Sequence, residues 1–315
     1  MMLLSYTLTA LAVAAIGYLL LSLLIRRLYR APRRVESGSP ADFDLPFHTV
    51  AIPTENGRRL HAWYVPSPGA AEKVPAVAVM HGWGGNAEVM LPFAALLYRA
   101  GYATLLLDAR NHGRSDADTF SSMPRFAEDL EHGFDWLAAR AEVDPRRIAL
   151  LGHSVGAGAA LLVASRRDEV AAVVSIAAFA HPHELMRRQM AAHRIPYRPV
   201  GWLVLQYIER TIGHRFDAIA PRNTIRNVRC PVLLVHGSED RSVPLSDAEA
   251  IHAHRAHRRV ELLTLPGAEH DSVEQIERHG AEIVAFLQGI FLPPGHEEHW
   301  VHHGGTEHTE KNRYE

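Results

Sequence analysis

The sequence predicts an α/β protein: a mostly parallel sheet flanked by helices, interrupted once by a helical insertion and preceded by an apolar helix. Three observations carry this. Short, continuously apolar runs such as AVAVM (76–80), ATLLL (103–107) and IALLG (148–152) are bounded by turn residues, as strands buried on both faces are. Helical patterns separate them, at about 87–100, 124–140 and 154–165. And Leu3–Ile25 contains no charged residue at all.

That first run is long enough to cross a bilayer: as a helix it would extend roughly 34 Å at about 1.5 Å per residue. Arg26, Arg27, Arg30, Arg33 and Arg34 follow it. A secretory signal carries its positive charge before the apolar run and a small-residue cleavage site after it. A cleaved signal and a buried core helix are the alternatives, but the order of charge favours a transmembrane anchor over residues 1–30. Basic residues beside a span tend to stay cytoplasmic, so a single-pass protein with a cytoplasmic catalytic domain is expected. Residues 31–45, APRRVESGSPADFDL, are polar and broken by proline, and read as a linker.

From 46 to 292 the chain reads as one α/β domain. It opens with a hairpin, HTVAI (48–52) and LHAWYV (60–65) around an Asn-Gly turn. The strand–helix alternation then runs to VAAVVSI (170–176) and resumes at PVLLVHG (231–237), a helix at about 246–257, VELLTL (260–265) and a helix at about 273–290. Between them, 177–229 holds helical stretches and no clear strand. It is too long for a plain loop and reads as a helical cap over the sheet edge where ligands bind. Residues 293–315 are polar, rich in His and Glu, and without apolar periodicity; disorder is expected there. Their histidines match no closed zinc-site spacing, so no metal is assigned.

Composition sets further bounds. The chain has 315 residues, 47% hydrophobic and 22% charged, with a net charge of −2. It has no strong basic field for nucleic acid. Its one cysteine, Cys230, excludes an internal disulfide and reads as a small apolar residue at a strand start.

The chemistry centres on GHSVG (152–156). Ser154 sits at a strand-to-helix bend, where the turn lifts its hydroxyl above the sheet and the glycines two residues either side remove colliding side chains. The following helix N-terminus favours negative charge on a reacting oxygen. A serine hydroxyl needs a base, and that base an orienting carboxylate. Asp240 lies just beyond the strand in VLLVHGSED, and His270 in the loop after the next strand, in LPGAEHD. All three then stand at the carboxyl ends of strands, where open α/β sheets bind ligands. Glu239 and Asp271 are neighbouring competitors for the acid; the Gly237-x-x-Asp spacing favours Asp240. Asp108 is a third candidate acid, read instead as bracing its loop with Arg110. His81, His112, His153 and His236 flank these motifs and are expected to be structural, with His153 beside the pocket entrance.

HGWGGN (81–86), DARNHGRSD (108–116), GHSVG, PVLLVHGSEDRSVP and LPGAEHD occur in register. Together they resemble the α/β-hydrolase fold family over residues 45–292. Within it the chain is most similar to membrane-anchored serine hydrolases with one N-terminal span and to the serine aminopeptidase-like lipase group. The resemblance implies Ser154 as nucleophile, His270 as general base then acid, and Asp240 as its orienting acid. It implies an oxyanion hole from the backbone N–H groups of Trp83 and Val155, and no cofactor. The expected function is a carboxylesterase- or lipase-like serine hydrolase acting on an acyl ester, thioester or lipid. A peptidase, or a non-catalytic binding module on the same fold, are the alternatives. WLVLQYI (202–208) in the cap is read as packing the cap or, more sharply, as bordering the acyl pocket or the bilayer surface.

Overall fold

The computed structural model describes residues 2–69, 73–271 and 273–291. An eight-stranded sheet forms its centre: β1 (His48–Thr54), β2 (Arg58–Val65), β3 (Val74–Met80), β4 (Ala103–Leu107), β5 (Val143–His153), β6 (Ala172–Ile176), β7 (Val232–Gly237) and β8 (Val260–Leu265). Their spatial order is β1-β2-β4-β3-β5-β6-β7-β8. β1 pairs antiparallel with β2, and β2 with β4; every other pairing is parallel.

The continuous apolar runs have a direct cause. Successive side chains of a strand point to opposite faces, and here both faces are covered. Ala76, Ala78 and Met80 of β3 pack on one side with Phe126, Leu130 and Phe134 of α3 (Met123–Ala138) and Leu161 of α4 (Val155–Ala164). Val77 and Val79 point the other way, against Phe93 and Leu97 of α2 (Leu91–Arg99) and Leu287 of α10 (Val273–Phe291). No polar face remains on the central strands.

Between β6 and β7 the chain forms only helices: α5 (Pro182–Ala192), a single π turn at Tyr197–Gly201, α6 (Trp202–Ile212), and the short α7 (Phe216–Ile219) and α8 (Pro221–Thr224). α9 (Leu245–Ala253) follows β7. The segment 293–315 lies outside the described residues.

α1 (Met2–Leu28) is one continuous helix that leaves Leu8, Leu11, Val13, Ile16, Leu19, Leu20 and Leu23 exposed. Among the described residues, no helix is long and apolar enough to cross a membrane, which goes against the transmembrane anchor expected over residues 1–30. The carboxyl end of α1 rests on the insertion: Ser22 Oγ and Arg26 Nε both hydrogen-bond the Tyr207 hydroxyl, and the Tyr18 ring meets that of Tyr207 edge-on at 6.1 Å.

Residues 31–45 are not a free tether. Glu88 accepts bonds from the Ser37 N–H, the Ser37 hydroxyl and the Gly38 N–H, at 2.8–2.9 Å. Asn86 Nδ2 donates to the Arg34 carbonyl at 3.2 Å, and Arg33 Nε to the Gly113 carbonyl at 3.0 Å. Glu36 is buried against Arg114, whose Nε donates to it at 3.0 Å.

Candidate active site

β5 ends at His153 and α4 begins at Val155, so the whole turn falls on Ser154, with φ 53° and ψ −113°. Such a backbone costs a non-glycine residue on the order of 1–3 kcal/mol and persists only when its surroundings hold it. Here the Ser154 N–H donates to the Ile176 carbonyl at 2.8 Å. A Cβ at Gly152 would lie 2.2 Å from the Gly156 carbonyl oxygen, and one at Gly156 2.5 Å from those of Met80 and His81. Both glycines are therefore demanded by close backbone approach, as the sequence pattern predicts.

Two further loops meet this bend. Asp240 is buried three residues after β7 ends, and His270 lies five residues beyond β8. His270 Nδ1 is 2.6 Å from Asp240 Oδ2, and its Nε2 is 3.0 Å from Ser154 Oγ. The other Asp240 oxygen accepts the Ser242 and Val243 N–H groups at 2.9 and 2.7 Å. Burial acts to raise the Asp240 carboxyl, but these bonds outweigh it and hold it below the usual carboxylate range. With an ionised Asp240 the bonding assigns the proton to Nδ1 and leaves Nε2 free to accept from the serine.

The rival carboxylates are placed elsewhere. Glu239 is exposed, and Asp271 is 85% exposed, its carboxylate 3.9 Å from His153 Nε2 and within 4.8 Å of a His270 ring nitrogen, whereas Asp240 bonds His270 Nδ1 directly at 2.6 Å. Asp108 is buried and accepts the Ala87 and Arg114 N–H groups at 2.7 and 2.9 Å and His61 Nδ1 at 3.0 Å. It braces its loop, but not through Arg110 as expected. Arg110 turns instead to Asp129, Glu128 and Asp118.

Trp83 sits in the turn after β3, and Val155 at the first position of α4. Among the described residues, neither N–H donates to a protein acceptor. The Trp83 ring stacks on Phe126, centroids 6.3 Å apart. His81 beneath this turn donates from Nδ1 to the Gly82 carbonyl at 2.6 Å and accepts the Ala109 N–H on Nε2 at 3.1 Å. Burial, then the neighbouring His112, pushes its imidazole down to about 4, so it stays neutral. His112 donates to the Arg110 carbonyl and His236 to that of Val243, at 3.0 and 2.8 Å. His153 Nε2 donates to the carbonyl of His270 itself at 2.9 Å. The four histidines are structural in the sense expected.

Glu36, His61 and Asp108 bring three donor atoms within 4.8 Å, and Glu36 Oε1 lacks a partner as a carboxylate. Burial first, and then Asp108, pushes the Glu36 carboxyl up to about 7, so a proton on Glu36 explains the contact without a metal. Nothing in the sequence signals this, because the two acids are 72 positions apart and each looks like a solvated charge. Cys230 is half-buried and its thiol is pushed up to about 11 by burial.

Ser154 and His270 open on a cavity of about 1070 Å³. Leu185, Met186, Ile208, Ile212, Phe216 and Ile219 of the insertion line one part, and Ile25–Arg27 with Tyr29–Arg34 another. Trp202, Leu203 and Leu205 are not among the described lining residues; Trp202 is 48% exposed and Leu205 is buried.

Comparison with known proteins bears on the fold. Residues 75–194 match the alpha/beta hydrolase fold family. The uncharacterized protein Rv2307c of Mycobacterium tuberculosis is 30% identical over 231 residues, covering 72% of this chain and 74% of its own. YfhR of Escherichia coli, also uncharacterized, is 26% identical over 254 residues, 78% and 82% of the two chains. Among solved structures, the esterase Pf2001 of Pyrococcus furiosus superposes with a TM-score of 0.68 at 22% identity, over 83% of this chain and 97% of its own. Est1E of Butyrivibrio proteoclasticus, with ferulic acid bound, gives 0.59 at 21%, over 76% and 98%. The chain belongs to the alpha/beta hydrolase fold family.

Proposed function

We propose that this chain is a serine hydrolase that cleaves an acyl ester or thioester, with lipid-like esters favoured. One observation carries the reading: the hydrogen-bonded relay from Ser154 through His270 to Asp240, at 3.0 and 2.6 Å, on a strained turn that faces the cavity.

The chemistry follows from that order. Ser154 Oγ attacks the substrate carbonyl carbon while His270 Nε2 takes its proton. Asp240 keeps the Nδ1 tautomer in place and stabilises the imidazolium. The tetrahedral oxygen receives the free N–H groups of Trp83 and Val155, an interaction of about 3 kcal/mol per donor in comparable sites. Collapse returns the proton from Nε2 to the departing alkoxide or thiolate and leaves an acyl-serine. Water then repeats the sequence, giving the acid and free serine.

For the reaction, a fluorophosphonate probe should label the wild-type chain and not Ser154→Ala, whose p-nitrophenyl ester hydrolysis should vanish while its melting temperature is kept. Undiminished turnover in that variant would falsify the assignment.

A further inference from the structure

The cavity is built from two chemically opposite parts. The helical insertion supplies an apolar wall. The end of α1 and the segment after it supply Arg26, Arg27, Arg30, Arg33 and Arg34, all exposed and all lining the same cavity. Among the described residues, none of these five forms an ion pair with a carboxylate. Arg33 is spent on the Gly113 and Ser115 carbonyls, and Arg26 leans on the Tyr207 hydroxyl. The carboxylates that share the cavity do not offset the rest. Asp118 is already held by Arg110 and Arg125, while Glu269 and Asp271 flank His270 at the reacting end.

Resting on the hydrolase reading above, we propose that the substrate is an amphiphilic acyl ester with a phosphate-bearing head group. Its chain lies along Leu185, Ile208, Ile212 and Ile219, and its head group against Arg27, Arg30 and Arg34. A guanidinium pairs with phosphate through two parallel N–H donors, and several converging on one mouth select an anion over a neutral head group. The position also suits an amphiphile. The arginines stand at the carboxyl end of an apolar helix, and that helix touches α6 through Tyr18, Ser22 and Arg26. A molecule with its chain beside α1 and its charge among these arginines meets the cavity without crossing open water.

The test uses the full chain in neutral detergent micelles and two esters that share one chain, 1-oleoylglycerol 3-phosphate and 1-oleoylglycerol, each at low mole fraction. The phosphate ester should be preferred about tenfold or more in kcat/KM. Replacing Arg27, Arg30 and Arg34 together by Gln should bring that ratio towards one, chiefly through KM, and replacing all three by Lys should restore most of it. A wild-type ratio near one, or a ratio untouched by the Gln substitutions, overturns the head-group assignment while Ser154-dependent turnover leaves the hydrolase reading standing. If neither ester is cleaved and Ser154 resists the fluorophosphonate probe, both fall together.

Discussion

His153 precedes the candidate nucleophile in the chain, yet its side chain holds His270: Nε2 donates to the main-chain carbonyl of His270 at 2.9 Å, and the two rings lie 5.1 Å apart. The loop that carries His270 is thus pinned to the strand that carries Ser154. Burial, then the adjacent His270, lowers the His153 imidazole, so it serves as a neutral donor.

Removing that donor should loosen the His270 loop without touching the relay itself. His153→Ala is expected to lower kcat/KM about five- to tenfold, the equivalent of one neutral hydrogen bond, and to keep fluorophosphonate labelling. Rescue by His153→Gln, which retains a side-chain N–H, would separate the bond from simple ring packing. Wild-type rates for His153→Ala would show that the pin does not matter.

Asp240→Asn keeps the shape but favours the wrong His270 tautomer. A fall in kcat of order 10⁴-fold is expected from triad precedent, measured with a p-nitrophenyl ester. Glu239→Gln should be near normal, since Glu239 is exposed. The reverse pattern would mean that the acid has been misassigned.

The Glu36 contact carries a pH dependence. Its folded value near 7 stands above the ordinary 4.5, so the proton it holds stabilises the packed segment fully below about 4.5. That contribution is lost as pH rises through about 7, when a second carboxylate appears beside Asp108. Arg114 and His61 face the same acid pair and soften the repulsion. Amide hydrogen exchange in residues 31–40, corrected for its intrinsic pH dependence, should accelerate between pH 6 and 8.5 in the wild type. Glu36→Gln, which cannot ionise, should flatten that difference; an unchanged slope would contradict the shared proton.

Chain-length preference should depend on α6 residues that line the cavity. Ile208→Trp fills part of the apolar wall and should lower the ratio of long-chain to acetyl ester hydrolysis about tenfold or more, in the range set by overpacking an apolar site. Trp202→Ala should leave that ratio alone, because Trp202 is half exposed and outside the lining. A selective loss on long chains in Trp202→Ala would restore the expectation drawn from the apolar WLVLQYI run.

Much of this site was legible because its determinants are local. Gly152 and Gly156 announce a backbone that other residues cannot adopt, and Asp240 and His270 follow strands whose apolar runs are unbroken. The rest is tertiary. Proximity in sequence pairs Arg110 with Asp108, but in the fold Arg110 is captured by Asp129 of α3. Trp202 and Ile208 belong to one apolar run, and only the docking of the helix decides which faces the cavity. Residues 31–45 look alike whether solvated or bonded, since their partners, Glu88, Arg114 and Asp108, lie far along the chain.

That last packing has a consequence for how the protein is to be prepared. A Cβ at Gly84 would meet Pro32 Cγ at 2.7 Å, so the chain leaving α1 is pressed against the turn that carries Trp83. Cutting the chain at residue 45 to obtain a shorter fragment would strip a wall from the cavity and leave the Trp83 turn unsupported. Such a fragment should not be expected to report the rates or the selectivity of the intact chain, because Arg27, Arg30 and Arg34 line the cavity on which Ser154 opens.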